Sequence, residues 1–188
     1  MDKDSYILIS DTNNKPHKFK LSEIANPIKW INHPIADISI LKLTISKDVA
    51  EHYFKDKAIP LKMISNDRKA ISRNTQLTVI GFPKGLGVDV DAEYFSPLTY
   101  RSFPSSGLIT LNRFDIKTPQ TFIILENPSV AGYSGGPVYD LSILEQGGNV
   151  TYIGATKLVG IIHGIIVDNT GGKLSAVTPS FYLFDLLK

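Results

Sequence analysis

The segment Asn127-Pro128-Ser129-Val130-Ala131-Gly132-Tyr133-Ser134-Gly135-Gly136-Pro137-Val138-Tyr139-Asp140 holds the residues best suited to covalent chemistry. A serine hydroxyl attacks a carbonyl only when it is presented on a rigid turn beside a base. Glycine at 132 permits a backbone that aims the N–H groups of Gly132 and Ser134 at one point, an oxyanion hole. Gly135 and Gly136 let the chain leave the turn close to a neighbouring strand, and Pro137 opens that strand. The competing reading is a glycine-rich β-turn with an incidental serine. The full G-x-S-G-G-P run before an apolar strand favours the nucleophile.

The second candidate is Asp37, which stands immediately before the β-branched run Ile38-Ser39-Ile40-Leu41-Lys42-Leu43. A carboxylate that is shielded and aimed at an imidazole N–H fixes the tautomer and stabilises the imidazolium. Its apolar neighbours Ile35, Ala36, Ile38 and Ile40 suit a partly buried acid. An aspartate capping a turn before a strand is the ordinary alternative.

These side chains need rigid β elements to position them. Short apolar or β-branched runs recur along the chain at 6–10, 38–45, 77–82, 107–110, 122–125, 137–140, 150–154, 158–167 and 174–178, separated by Gly, Pro, Asn or Asp. This spacing predicts an all-β barrel or sandwich. Residues 17–22 alternate loosely. Helix signals are confined to a short turn over 47–55 and a terminal helix over 179–188, with Pro179 in the first turn, Ser180 as cap and an apolar stripe of Tyr182, Leu183, Leu186 and Leu187. The polar stretch 56–76 reads as a connection between two β units.

On these residues the chain resembles the trypsin-like (chymotrypsin-fold) serine peptidases, in particular the bacterial branch related to the HtrA-type enzymes. G-Y-S-G-G-P-V is similar to their nucleophile loop. WINHPIADISILKL at 30–43 resembles the segment in which the triad aspartate precedes a strand. VIGFPKGLG at 79–87 and SSGLIT at 105–110 resemble early strands of the second barrel. LVGIIHG at 158–164 resembles the strand lining the substrate cleft, and LSAVTPSFYLFDLL the last strand and helix. The resemblance implies an all-β fold of two antiparallel β-barrels, the first incomplete, with a short C-terminal helix. It assigns 1–68 to the remnant of the first barrel, carrying the acid, and 69–188 to the second, carrying the nucleophile. It implies peptide-bond hydrolysis through an acyl-enzyme at Ser134.

In that family the general base lies upstream of the acid, in a loop reading like T-A-x-H. None of the four histidines, His17, His33, His52 and His163, has that position. His17 sits in a polar turn, His33 is too close in sequence to Asp37 to face it and Ser134 together, and His52 and His163 follow the acid. The strands that would carry the base are absent from the chain. It is therefore expected to be nearly inactive alone, being a truncated enzyme, one half of a pair whose separate N-terminal segment supplies the imidazole, or a non-catalytic module that binds extended peptides. The resemblance places Pro128, six residues before the nucleophile, at the base of the specificity pocket, with His163 and Gly164 on the cleft wall. An uncharged Pro128 argues against a preference for Lys or Arg, whereas His163 suits an acidic side chain.

Composition excludes several other classes. Hydrophobic residues make up 43% and charged residues 20%, and the net charge of +2 is too small to argue for nucleic acid or an anionic membrane as partner. There is no run of 18 apolar residues and no leader pattern. The chain has no cysteine, so disulfides and thiolate metal sites are excluded, and its histidines lack metal-ligand spacing. No cofactor is implied, and the expected partner is a polypeptide substrate. The compartment is unassigned, with the cytoplasm slightly favoured.

Overall fold

The computed structural model describes residues 5–13, 15–83, 88–89, 94–113, 117–167, 170 and 172–188. Four residues of the 79–87 segment, 84–87, lie outside them.

Most of the core belongs to one antiparallel sheet. Its strands are β5 (Leu77–Gly81), β8 (Leu98–Ser102), β9 (Pro104–Asn112), β10 (Pro119–Leu125), β11 (Pro137–Asp140), β14 (Lys157–Val167) and β15 (Lys173–Pro179). They run in the order β8-β5-β11-β14-β15-β10-β9. The two outer strands are consecutive in the chain, separated by Phe103 alone. The sheet must therefore curl until its edges meet, although no ladder joins them. The expected barrel is thus a curled open sheet whose seam is covalent.

Alternation explains the inside of the curl. In β5, Leu77, Val79 and Gly81 are buried while Thr78 and Ile80 are less so. Leu77 and Val79 meet Ile123, Leu125, Tyr133, Val138, Val159, Ile162 and Val177 in one cluster. The near-continuous burial of β10 has a different cause: Phe122 and Ile124 face a second cluster with Ala176, so both faces of that strand are covered.

The first part of the chain forms two small hairpins. β1 (Tyr6–Ser10) pairs with β2 (Pro16–Lys20), and β3 (Trp30–Asn32) with β4 (Ser39–Leu41); two further small hairpins, β6 (Val88–Asp89) with β7 (Tyr94–Phe95) and β12 (Ile143–Gln146) with β13 (Asn149–Tyr152), lie between strands of the large sheet. Residues 17–22 do not continue as a strand, because Leu21–Ile24 turn into a one-turn helix, α1, that buries Leu21 and Ile24. Phe19, Leu21 and Ile24 gather Ile7, Ile9, Leu43, Tyr53 and Phe54 into a local core. The helical turn expected at 47–55 is α2 (Lys47–Val49), extended by a wider turn over Ala50–Phe54. Ser46 caps it, accepting the Val49 N–H at 3.3 Å.

The C-terminal helix α3 spans Ser180–Leu186, with Pro179 as the residue before its first turn. The expected cap at Ser180 is not made. Its hydroxyl instead donates to the Ser65 carbonyl at 2.7 Å, tying the connecting segment to the helix. The Ser65 N–H in turn donates to the Leu158 carbonyl at 2.9 Å. Phe181 and Tyr182 of α3 pack against Ala36 and Ile38, and this cluster seats the turn that carries Asp37.

Candidate active site

The turn before Ser134 is set by Gly132. The Tyr133 N–H donates to the Val130 carbonyl at 3.2 Å, and Gly132 has φ +103° while Ala131 stays on the negative side. That combination is a type II turn. Relative to type I it flips the Ala131–Gly132 peptide, and so decides where the Gly132 N–H points. Tyr133 anchors the turn from below: its ring is buried and meets the Tyr100 ring edge-on at 4.9 Å between centroids. Burial raises the Tyr133 phenol pKa above its usual 10.0.

Ser134 itself is exposed. Beyond it the chain is pinned at both glycines. Gly135 N–H donates to Ile162 O at 2.8 Å, Gly136 N–H to Tyr133 O at 2.8 Å, and Ile162 N–H to Gly136 O at 2.9 Å. Position 136 admits only glycine, because a Cβ there would lie 2.2 Å from the Ile80 carbonyl oxygen. Ser134 borders a concavity of about 350 Å³ walled by Ile80, Phe82, Pro97, Gly132 and Pro137.

Asp37 occupies the centre of a tight three-residue turn in which Ile38 N–H donates to Ala36 O at 2.9 Å. Its own N–H donates to Gln120 Oε1 at 2.8 Å. Gln120 is 1% exposed and passes the chain on, Nε2 donating to Thr178 Oγ1 at 2.8 Å. The Asp37 carboxylate lies 3.3 Å from Arg113 Nη2 through Oδ1 and 3.1 Å from His163 Nδ1 through Oδ2. The His163 approach is a close side-chain contact. The Asp37 side chain is 52% exposed, so the shielding expected from its apolar neighbours is only partial: Ala36 and Ile38 are buried, whereas the carboxylate opens outward.

Both candidates thus attach to adjacent residues of β14: the Ser134 turn to Ile162 through Gly135 and Gly136, Asp37 to His163. A β-bulge between Ile162 and Gly164 aims the imidazole. Ile162 faces Val177 and Gly164 faces Ala176, which leaves His163 as the extra residue. Its ring turns toward Asp37 and packs on Phe122 at 5.1 Å. Simple alternation along the strand does not anticipate this bulge. Pro128 is exposed, and none of Pro128, His163 and Gly164 lines the concavity beside Ser134.

The other histidines are used locally. His17 and His52 both meet the Tyr53 ring with centroids 4.5 Å apart, His17 tilted and His52 edge-on. His33 Nδ1 accepts the Ala36 and Ile35 N–H groups at 3.0 and 3.3 Å. Among the described residues no group of three or more His, Asp or Glu is placed to hold a metal ion, and no helix is long and apolar enough to cross a membrane.

Sequence reasoning missed Arg113, Gln120 and His33. Only Gln120 carried a signal. A glutamine within a strand buried on both faces must find hydrogen-bond partners.

No family model matches the chain, and no curated protein does. Among solved structures, it is similar to Rv3671c from M. tuberculosis H37Rv, solved as a serine-to-alanine mutant in an inactive form. The identity is 13% and the TM-score 0.52, over 97% of this chain and 78% of that one. A likeness at this identity concerns the fold: the chain has the all-β, trypsin-like fold that its sequence led us to expect.

Proposed function

We propose that the chain carries the nucleophile and the acid of a trypsin-like serine endopeptidase. The observation that carries this reading is the attachment of the Ser134 turn and of Asp37 to neighbouring residues of one strand, Ile162 and His163. In this mechanism the Ser134 hydroxyl attacks the peptide carbonyl. An imidazole between the two side chains takes its proton and later returns it to the leaving amine. Asp37 orients that imidazole. The N–H groups of Gly132 and Ser134 receive the developing oxyanion; those of Tyr133, Gly135 and Gly136 are already engaged by protein carbonyls.

The chain's own histidines do not supply the base. His17 and His52 lie on Tyr53, His33 is spent on the Asp37 turn, and His163 packs beside Asp37 against Phe122. The imidazole therefore belongs to another segment or chain. Without it hydrolysis falls by about four or more orders of magnitude.

One observation favours a second reading. Arg113 and His163 address both oxygens of Asp37, which suits a structural acid in a non-catalytic peptide-binding module. A fluorophosphonate probe separates the two. The chain alone should label slowly. Added free imidazole should restore labelling at Ser134, abolished in Ser134→Ala and reduced in Asp37→Asn. Absence of imidazole-dependent labelling at Ser134 in the folded chain would overturn the enzyme reading in favour of the binder.

A further inference from the structure

We propose that His33 is the positioning residue of the Asp37 turn and that it works only as a neutral imidazole, making the turn pH-sensitive. The inference depends on the triad-acid reading for its functional meaning, and on geometry alone for its substance.

The turn is built around one ring nitrogen. His33 Nδ1 lies 3.0 Å from the Ala36 nitrogen and 3.3 Å from the Ile35 nitrogen. Backbone amides can only donate, so Nδ1 must be the lone-pair nitrogen and the ring proton must sit on Nε2. The residue does what Asn or Asp does in an Asx turn, with Nδ1 in the place of Oδ1. His33 also closes the loop through its backbone, its N–H donating to Ile38 O at 2.9 Å. Every bond that shapes 33–38 thus starts or ends within two residues of Asp37 or at His33.

The ring is held in place from outside the turn. Tyr182 of α3 meets it edge-on, centroids 4.9 Å apart. Two charged groups act on it from the elements packed alongside, Asp185 from α3 and Arg68 from the connecting segment. Burial of the ring lowers the His33 pKa from 6.5; Asp185 opposes that shift, and Arg68 adds to it.

Protonation would place an N–H on Nδ1, facing two N–H groups that have lost their acceptor. The loss removes both bonds at once and adds a repulsive contact. The Ala36–Asp37 segment should then loosen, and the carboxylate should lose its fixed direction. A lowered pKa puts this event on the acid side of the ordinary histidine range. The contribution to stability is complete above about pH 6.5, the unfolded value. It is lost as the pH falls from there through the folded pKa, below which both states are protonated and no further loss occurs.

Amide NMR on the 15N-labelled full chain tests this without using Ser134, so failure of the probe experiment above leaves the outcome intact. On lowering the pH from 7.5 to 5, the Ala36 and Asp37 amide shifts should follow the His33 ring titration. Ala36 amide exchange, corrected for its intrinsic pH dependence, should speed up by about tenfold, the worth of one net hydrogen bond. His33→Asn keeps an acceptor and cannot titrate. It should hold the Ala36 shift constant across that range, whereas His33→Ala should lose the protection at every pH. An Ala36 amide that ignores the His33 titration in the native sequence overturns the proposal. So does a His33→Asn protein that retains the same pH dependence. Should His33→Ala fail to fold, the native titration and the Asn variant still decide the matter.

Discussion

His163 Nδ1 stands 3.1 Å from Asp37 Oδ2, and it does so because a bulge in β14 makes His163 the extra residue of that strand against β15. The neighbouring residue, Ile162, holds the Ser134 turn by two backbone hydrogen bonds. One irregularity in one strand therefore decides the relation between Asp37 and the Ser134 turn.

The contact of Asp37 with Arg113 predicts a measurable electrostatic contribution. The carboxylate is half exposed, but the Arg113 side chain is only 9% exposed, so the contact is not fully screened by solvent. Asp37→Asn keeps the shape and removes the charge. It should destabilise the folded chain by about 1 kcal/mol in a urea titration at pH 7. The difference should shrink in about 1 M salt, where the Debye length is about 3 Å. Equal urea midpoints for the two proteins at low salt would contradict the ion-pair assignment.

The two glycines after Ser134 should respond differently to alanine. At Gly136 the new Cβ would meet backbone oxygens of Ile80 and Tyr133 at 2.2 and 2.8 Å, and neither can move without breaking the strand contact. We expect Gly136→Ala to cost about 3 kcal/mol and to disturb the whole loop. At Gly135 nothing lies within 4 Å, and the cost is that of a non-glycine residue at φ +82°, about 1–2 kcal/mol. Paired denaturation curves check the ranking. A Gly135→Ala variant that proved the more damaging of the two would mean the loop is packed otherwise.

Arg68 predicts an acid-side loss of stability distinct from that of His33. Its guanidinium covers the Phe181 ring, 4.5 Å from the centroid, and bonds to Asp185. The hydrogen bond from Arg68 lowers the Asp185 pKa below 3.8. A depressed carboxylate stabilises the fold above the unfolded value, and that stabilisation disappears as the pH falls from about 3.8 through the folded pKa. The groups are partly exposed, so the effect is small, about 0.5 kcal/mol. Thermal melts of Asp185→Asn and of the native chain should differ at pH 6 and converge near pH 2. A difference that persists unchanged at pH 2 would exclude the charge as its source.

Much of the architecture is legible because burial imposes local periodicity. Leu77 and Val79 alternate with their neighbours, Phe122 to Leu125 are apolar on both faces, and the G-Y-S-G-G-P run specifies its own turn through Gly132 and Gly136. These are properties of adjacent residues, and the physics that selects them acts over a few ångströms of chain. The terminal helix was legible for the same reason, although Ser180 turned out to bind a distant carbonyl.

What the linear order left undecided are relations between segments remote in sequence. Asp37 meets Arg113 and Gln120, some 80 residues away, only after the sheet has curled and α3 has closed over Ala36 and Ile38. The direction of His163 follows from a register shift against β15, which no pattern within β14 announces. The role of His33 needed the path of its own turn, since the same residue on an extended strand would accept nothing from Ala36. Local composition thus determined the strands and the Ser134 turn. Long-range packing decided which charges surround the acid, because a carboxylate takes whatever partners the completed fold brings within reach.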